Sequence, residues 1–334
     1  MLRHSSDSEP GITRKRIKSA WGYFDPDGKR ITDRDEIERL NAIALPPAYT
    51  DAWFCTDPNG HLQATGIDAR GRKQYRYHTG FRERREAAKY DGLLEFGKAL
   101  PKVRRRVEAD LKRRKLGRET VLAAVVRLLD TVHMRVGNEQ YAKDNKSFGA
   151  TTLRRRHVRR KGAKLVMRFA GKHGIVQEAK ITDSNLKRIV KRCQELPGQM
   201  LFQYVNGDGQ PQAISSGDVN DYIRDASGGE FTAKHFRTWG ASVIAFDQVL
   251  SKAENARITV KTVVEPVAEA LGNTVAMSRK AYVHPAVLEA VKEDARDPLD
   301  GMDRPRPRKR MSSSEVGLLQ FLSKKGRKRG KKAA

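Results

Sequence analysis

The sequence predicts an α+β protein in two parts, a small β-rich N-terminal domain and a larger, mainly helical domain that carries one β-hairpin. Three observations lead there. Between residues 19 and 80, the turn signals Asp25-Pro26-Asp27-Gly28, Pro46-Pro47 and Asp57-Pro58-Asn59-Gly60 bound short runs such as Trp53-Phe54-Cys55. From about residue 81, apolar residues recur at helical spacing instead. Within that part, Leu165–Phe169 and Ile175–Ala179 flank the turn Ala170-Gly171-Lys172-His173-Gly174, a hairpin with Lys172 at its tip.

The chain has 334 residues, enough for two ordinary domains, and 67 Lys and Arg against 40 Asp and Glu give a formal charge of +27. Self-repulsion at that charge destabilises a compact state unless an anion offsets it, so a polyanionic partner is expected, nucleic acid first. Cys55 and Cys193 are too few for a disulfide framework or a cysteine zinc site. The N-terminus lacks an apolar signal core and Arg127 breaks the most apolar run, Val121–Leu129, so a cytoplasmic protein without a membrane partner is expected.

In chain order, residues 1–18 are polar and then basic (Thr13-Arg14-Lys15-Arg16) and read as a flexible arm. Residues 19–80 form the β-rich domain, in which Asp25–Gly28 is a turn, since it contains Pro26 and lacks the later ligands of a calcium loop. Gly66–His78 interleaves basic groups, an amide and tyrosines. As a strand it places Lys73, Tyr75 and Tyr77 on one face. Arg72 and Lys73 would then neutralise phosphates while Gln74 or a tyrosine reached a base. An edge strand guarded by charge reads equally well.

Residues 81–300 form the helical domain. A helix over Phe81–Lys89 is followed by a new start at Pro101, and the next spans Thr120–Val136, with Val121, Val125, Leu128, Leu129 and Val132 on its buried side. Arg135 comes at its end, and a half-buried arginine needs an anion, which a structural carboxylate or a ligand could supply. Helices over Asp183–Leu196 and Ser216–Ala226 precede one capped by Thr232, with Arg237 a turn in. Another runs over Val260–Leu271 to a Gly272 cap, Pro266 marking a kink or fresh start, and a last one begins at Pro285. Residues 301–334 carry two basic blocks, Arg304–Arg310 and Lys324–Lys332, and read as a disordered tail without a catalytic role.

The chemistry centres on Tyr282. A phenol with a pKa of roughly 10 attacks only where a strongly positive pocket favours its oxyanion. Arg135, Arg237, Lys172 and a polar amide are the parts that phosphodiester transfer to a phenol requires. Arginines hold the non-bridging oxygens, and a lysine protonates the leaving oxygen. The chain has no convincing metal cluster, so cations would stand in for a metal, and no cofactor is expected.

Four segments in this order carry a resemblance: Arg135-Val136-Gly137-Asn138-Glu139-Gln140-Tyr141-Ala142-Lys143, Phe169-Ala170-Gly171-Lys172, Lys234-His235-Phe236-Arg237-Thr238-Trp239-Gly240 and Ser278-Arg279-Lys280-Ala281-Tyr282. From about residue 20 to 295 the sequence resembles type IB DNA topoisomerases of the bacterial, poxvirus-like branch. The resemblance implies that Tyr282 attacks the scissile phosphate and becomes linked to the 3′ end, with Arg135 and Arg237 on its oxygens. It makes Lys172 the general acid and Lys234 a further active-site lysine, and places Tyr141 on a DNA phosphate. Gln74, Tyr75 and Tyr77 fall in the family's major-groove segment. It further implies a monomeric clamp around duplex DNA, especially supercoiled DNA, that relaxes both signs of supercoil without ATP or metal in the nucleoid-associated cytoplasm.

Where the poxvirus pattern has histidine, this chain has Asn273, as some bacterial members do. Asparagine can donate to a phosphate but cannot carry charge, so activity less sensitive to pH at this position is expected. A tyrosine recombinase shares the same logic, but typically has histidine where Lys234 stands and a helical N-terminal domain. A non-catalytic DNA-binding protein would fit the charge equally well, but not the complete residue set.

Overall fold

The computed structural model describes residues 1–18, 20–162, 164–251, 258–292 and 304–332. Two compact units divide at Asp91/Gly92. The first holds β1 (Ile12–Ile17), β2 (Ala20–Phe24), α1 (Arg34–Ala42), β3 (Thr50–Phe54), β4 (Leu62–Ile67) and β5 (Lys73–Tyr77), in an antiparallel sheet of order β2-β1-β3-β4-β5. Ile12, Tyr23, Leu40, Phe54 and Ala64 form its core between sheet and α1. Asp33 caps α1 by accepting from the Glu36 N–H at 3.1 Å.

The N-terminal residues are built into this sheet rather than forming a flexible arm. Ile12 is buried, and Arg14 in β1 donates to the Leu45 and Pro46 carbonyls at 2.8 Å each and lies over the Trp21 ring. Ser5 is buried too, its hydroxyl donating to the Leu62 carbonyl at 3.0 Å. The basic run misleads because each of these anchors is distant in sequence.

Helix α2 (Thr79–Leu111) starts where the domain boundary was expected, near 80, and crosses the observed division. Pro101 lies inside it rather than opening a second helix. The missing N–H costs one backbone bond, yet buried Leu93, Phe96, Leu100, Val103 and Val107 continue one apolar stripe through the proline and hold the helix.

In the second unit, α3 (Arg118–Val132) is followed by α4 (Glu139–Asn145), a sheet of order β6-β7-β8 (Val158–Lys161, Lys164–Ala170, Val176–Ile181) and α5 (Ser184–Glu195). A two-stranded ribbon, β9 (Gln203–Val205) with β10 (Pro211–Ala213), leads to α6 (Ser216–Ser227), α7 (Ala233–Leu250), α8 (Val260–Leu271), α9 (Val275–Ala281), α10 (Pro285–Lys292) and α11 (Ser313–Lys332). α3 stops at Val132, four residues earlier than its apolar pattern suggested, because His133 turns left-handed at φ 53. α8 ends at Gly272 as expected and runs unbroken through Pro266.

The basic C-terminal stretch, expected to be disordered, contains α11. Val316, Leu318, Phe321 and Leu322 are buried, and Phe321 meets Phe246 of α7 at 5.4 Å between ring centroids. Charge repels a segment into solvent only if nothing buries its apolar face, and here α7 does. Glu315 accepts from Trp239 Nε1 at 3.0 Å and pairs with Arg104 of α2 at 2.7 Å, and Arg104 pairs also with Asp130 of α3 at 2.8 Å. Residues 293–303 of the expected tail and domain end lie outside the described residues.

Candidate active site

Four of the expected site residues meet in the second unit. Arg135 follows the His133 turn, and its loop lies against the turn at residues 149–152. The Ala150 N–H donates to the Arg135 carbonyl at 2.8 Å and the Thr151 N–H to the Val136 carbonyl at 2.7 Å. A Cβ at Gly149 would lie 2.5 Å from the Gly137 nitrogen and 2.7 Å from the Arg135 oxygen, so only glycine permits this approach. Arg135 Nη2 then donates to Asn273 Oδ1 at 2.8 Å, which fixes the amide's orientation.

Arg237, one turn into α7, is 4% exposed. Its guanidinium donates to two backbone carbonyls, those of His133 and Leu271, the latter at 3.2 Å. No described carboxylate pairs with it, and its Nε is buried without a partner, as is Asn273 Nδ2. The guanidinium carbon lies 4.9 Å from the centroid of the Tyr282 ring. Burial, with Arg135 opposite, pushes Arg237 down to about 10, so it remains a cation at neutral pH. Burial alone would raise the Tyr282 phenol, but the charges of Arg237 and Arg135 and their hydrogen bonds hold it below its ordinary value. Two cations, two donors without a partner among the described residues and a phenol held below its ordinary value make a pocket that suits an anion.

Tyr282 caps α9, its N–H donating to the Ser278 carbonyl at 3.0 Å. Buried Ser242 of α7 donates to the Thr238 carbonyl at 2.8 Å and accepts from the His284 N–H at 3.0 Å, its oxygen lying 3.4 Å from the Tyr282 carbonyl. The helix that carries Arg237 therefore also pins the backbone that carries the phenol. Sequence reasoning overlooked Ser242 and His133, since a serine that bonds backbone 42 residues away leaves no local pattern. His133 at least had a signal, its place two residues before Arg135. Its ring packs so closely on α7 that a Cβ at Gly240 would lie 2.4 Å from it, which accounts for the glycine in Thr238-Trp239-Gly240.

Lys172 sits on the hairpin tip and lines a cavity of about 310 Å³ together with Arg135, Asn138, Tyr141 and Phe148. Lys234 is exposed in the first turn of α7, three residues before Arg237, and no contact ties it to the other four. In the first unit, Arg72 pairs with Asp68 at 2.7 Å, Gln74 donates to the same carboxylate at 3.0 Å, and Lys73 pairs with Asp7 at 2.5 Å. Tyr75 and Tyr77 stack along β5 with centroids 6.2 Å apart, so Lys73, Tyr75 and Tyr77 do share one face of an edge strand.

Asn273 gives a direct prediction. It anchors Arg135 through its oxygen and keeps an N–H free for a ligand. Asn273→Asp preserves the anchor but adds a negative charge beside Arg135 and replaces the N–H donor, so if the pocket takes a phosphate the rate of its transfer should fall by about 100-fold. Asn273→His should add a limb to the pH–rate profile near the ordinary imidazole range, roughly 6.5. Superimposable profiles for the wild type and Asn273→His would remove the idea that this position sets pH sensitivity.

Among known proteins, the catalytic core of eukaryotic DNA topoisomerase I matches residues 78–298, and the N-terminal domain of bacterial DNA topoisomerase IB matches residues 20–68. The DNA topoisomerase 1B of Acanthamoeba polyphaga mimivirus is 33% identical over 293 residues, covering 84% of this chain and 87% of the relative. The DNA topoisomerase 1B of Vaccinia virus (strain Copenhagen) is 22% identical over 295 residues, covering 81% and 90%. The DNA topoisomerase 1 of Mycosarcoma maydis is 26% identical over 221 residues, which are 61% of this chain and 21% of the fungal protein.

Proposed function

The chain belongs to the type IB DNA topoisomerases, and from that premise we propose that Tyr282 opens one DNA strand through a 3′-phosphotyrosyl link and the freed 5′-hydroxyl later reverses it. The observation that carries this reading is Arg237, a buried cation that faces Tyr282 and Arg135 and pairs with no described carboxylate. On this reading the scissile phosphate serves as its counter-ion.

In the forward step Tyr282 Oη loses its proton to solvent and attacks phosphorus. Arg135 and Arg237 hold the non-bridging oxygens as charge builds on them, and Asn273 Nδ2 is free to add a third donor. The bond to the 5′-oxygen breaks as Lys172 donates a proton to it. Lys234 serves as a further cation near the reacting phosphate, and Tyr141 holds a flanking one. Closing of the strand runs the same steps backwards, so the bond energy is conserved and no ATP is needed. Tyr75, Tyr77 and Gln74 supply groove contacts from the first unit, with Arg72 and Lys73 exchanging their carboxylates for phosphates. The same reading has a monomer clamp supercoiled duplex in the nucleoid-associated cytoplasm. Among the described residues no helix is long and apolar enough to cross a membrane.

Relaxation of negatively and positively supercoiled plasmid in EDTA without ATP tests it. The wild type should relax both signs, and Tyr282→Phe should bind plasmid without relaxing it. If Tyr282→Phe still relaxes, the nucleophile is misassigned. If the wild type does neither, the reading fails.

A further inference from the structure

Next to the cavity that Lys172 lines is a second and larger one, of about 630 Å³, whose rim carries Lys146, Arg156, Arg159 and Arg168. All four are exposed, and none forms an ion pair with a described carboxylate. Elsewhere in the same unit Arg104, Arg106, Arg118 and Arg127 are each paired with an aspartate or glutamate. Arg168 even has Glu178 as its cross-strand neighbour in β7–β8 and makes no ion pair with it. Arg156 and Arg159 belong to the run Arg154-Arg155-Arg156-His157-Val158-Arg159-Arg160-Lys161, Arg168 to the strand beside it, and Lys146 follows α4. Burial, with smaller contributions from Arg156 and Arg154, pushes His157 behind the rim down to about 4.

The walls are not uniformly polar. Phe148 and Val176 give an apolar surface, Phe148 meeting the buried His157 ring at 4.4 Å between centroids. Cations around an apolar wall match the alternation of phosphate and sugar or base in a nucleic acid strand. Phe148 lines both cavities, and Ala170 and Val176 come from the two arms of the hairpin whose tip bears Lys172. A strand leaving the first cavity past Phe148 therefore enters the second.

We infer that this cavity binds the DNA strand on the 5′-hydroxyl side of the cut, holding its first phosphates with Arg156, Arg159, Arg168 and Lys146. The inference rests on the proposed function in one respect, that Lys172 faces the 5′-oxygen. Its consequence is that the cavity governs how well the cut strand is kept for resealing, not how fast it is cut.

A covalent complex whose short leaving strand has dissociated can be challenged with 5′-hydroxyl acceptor oligonucleotides of increasing length. In the variant R156A/R168A the acceptor concentration for half-maximal religation should rise by about tenfold, and its dependence on log salt should lose about two in slope. A charge-matched variant, K164A/K180A, removes two exposed cations that do not line the cavity and should behave as wild type. Equal half-saturation in wild type and R156A/R168A, or an equal shift in both variants, overturns the inference. A slower cleavage with unchanged half-saturation places the other side of the cut strand in the cavity and also overturns it. Absence of adduct in the wild type would instead sink the catalytic reading. The cavity is then decided by fluorescence anisotropy of a labelled acceptor–template duplex on Tyr282→Phe protein, where adding R156A/R168A should weaken binding about tenfold and equal binding refutes the site.

Discussion

Arg237→Ala should lower the single-turnover rate of Tyr282–DNA adduct formation by about 1,000-fold or more, with duplex affinity changed far less. The guanidinium is buried and fixed by two carbonyls, so on the proposed reading its charge is already organised when the phosphate arrives. Loss of one such donor typically costs about 100- to 1,000-fold, and an arginine on a transferring phosphoryl group about 1,000-fold or more. A second effect has a definite sign. Arg237 is the largest influence that lowers the Tyr282 phenol against its burial, so its removal raises that pKa. The wild-type cleavage rate should therefore level off at a lower pH than that of Arg237→Ala. Arg237→Lys keeps the charge but cannot bond both carbonyls and the phosphate, and should recover only part of the rate. Single-turnover cleavage across pH measures all three. A rate within tenfold of wild type for Arg237→Ala would refute its place at the phosphate.

Arg104→Met should cost about 3–5 kcal/mol, and for a unit of this size lower Tm by about 10 °C. Arg104 lies between Asp130 and Glu315, with side-chain exposures of 17%, 8% and 8%, so the substitution leaves two buried carboxylates facing each other. In the wild type, burial opposes ionisation of Glu315, but Arg104, the Ser312 N–H and Trp239 together hold its carboxyl below the ordinary range. A depressed folded-state value means stability present above the unfolded pKa and lost as pH falls through the folded one. Without Arg104 the sign reverses, since burial then raises the Glu315 carboxyl and protonation relieves it. Thermal melts should show a deficit in Arg104→Met that is largest near pH 7.5 and shrinks towards pH 5.5. A deficit independent of pH would show that lost packing rather than stranded charge is responsible.

What the sequence disclosed and what it withheld divide by range. The Gly272 stop of α8, the Thr232 cap and the hairpin with Lys172 at its tip all depend on neighbours within a few residues, and they were legible. The grouping of Arg135, Arg237, Asn273 and Tyr282 came from segment order in a known family, and the structure brings these four into contact. The withheld features depend on distant partners. Nothing near Arg14 announces the carbonyls of Leu45 and Pro46, nothing near Pro101 announces the stripe that carries the helix through it, and nothing near Glu315 announces Trp239 and Arg104. Charge misled at both ends for one reason. Composition reports how many cations a segment has, but not whether its apolar residues find a wall.

The position of α11 in the chain sets an order in time. A ribosome releases Arg135, then Arg237, then Tyr282, and only afterwards Glu315 and Phe321, the side chains that lock α7 against α2 and α3. A nascent or prematurely terminated chain can thus contain Arg135, Arg237, Asn273 and Tyr282 and still lack the charge cluster behind them. Polypeptides halted short of residue 315 lack these contacts and should be cut by proteases faster than the full chain.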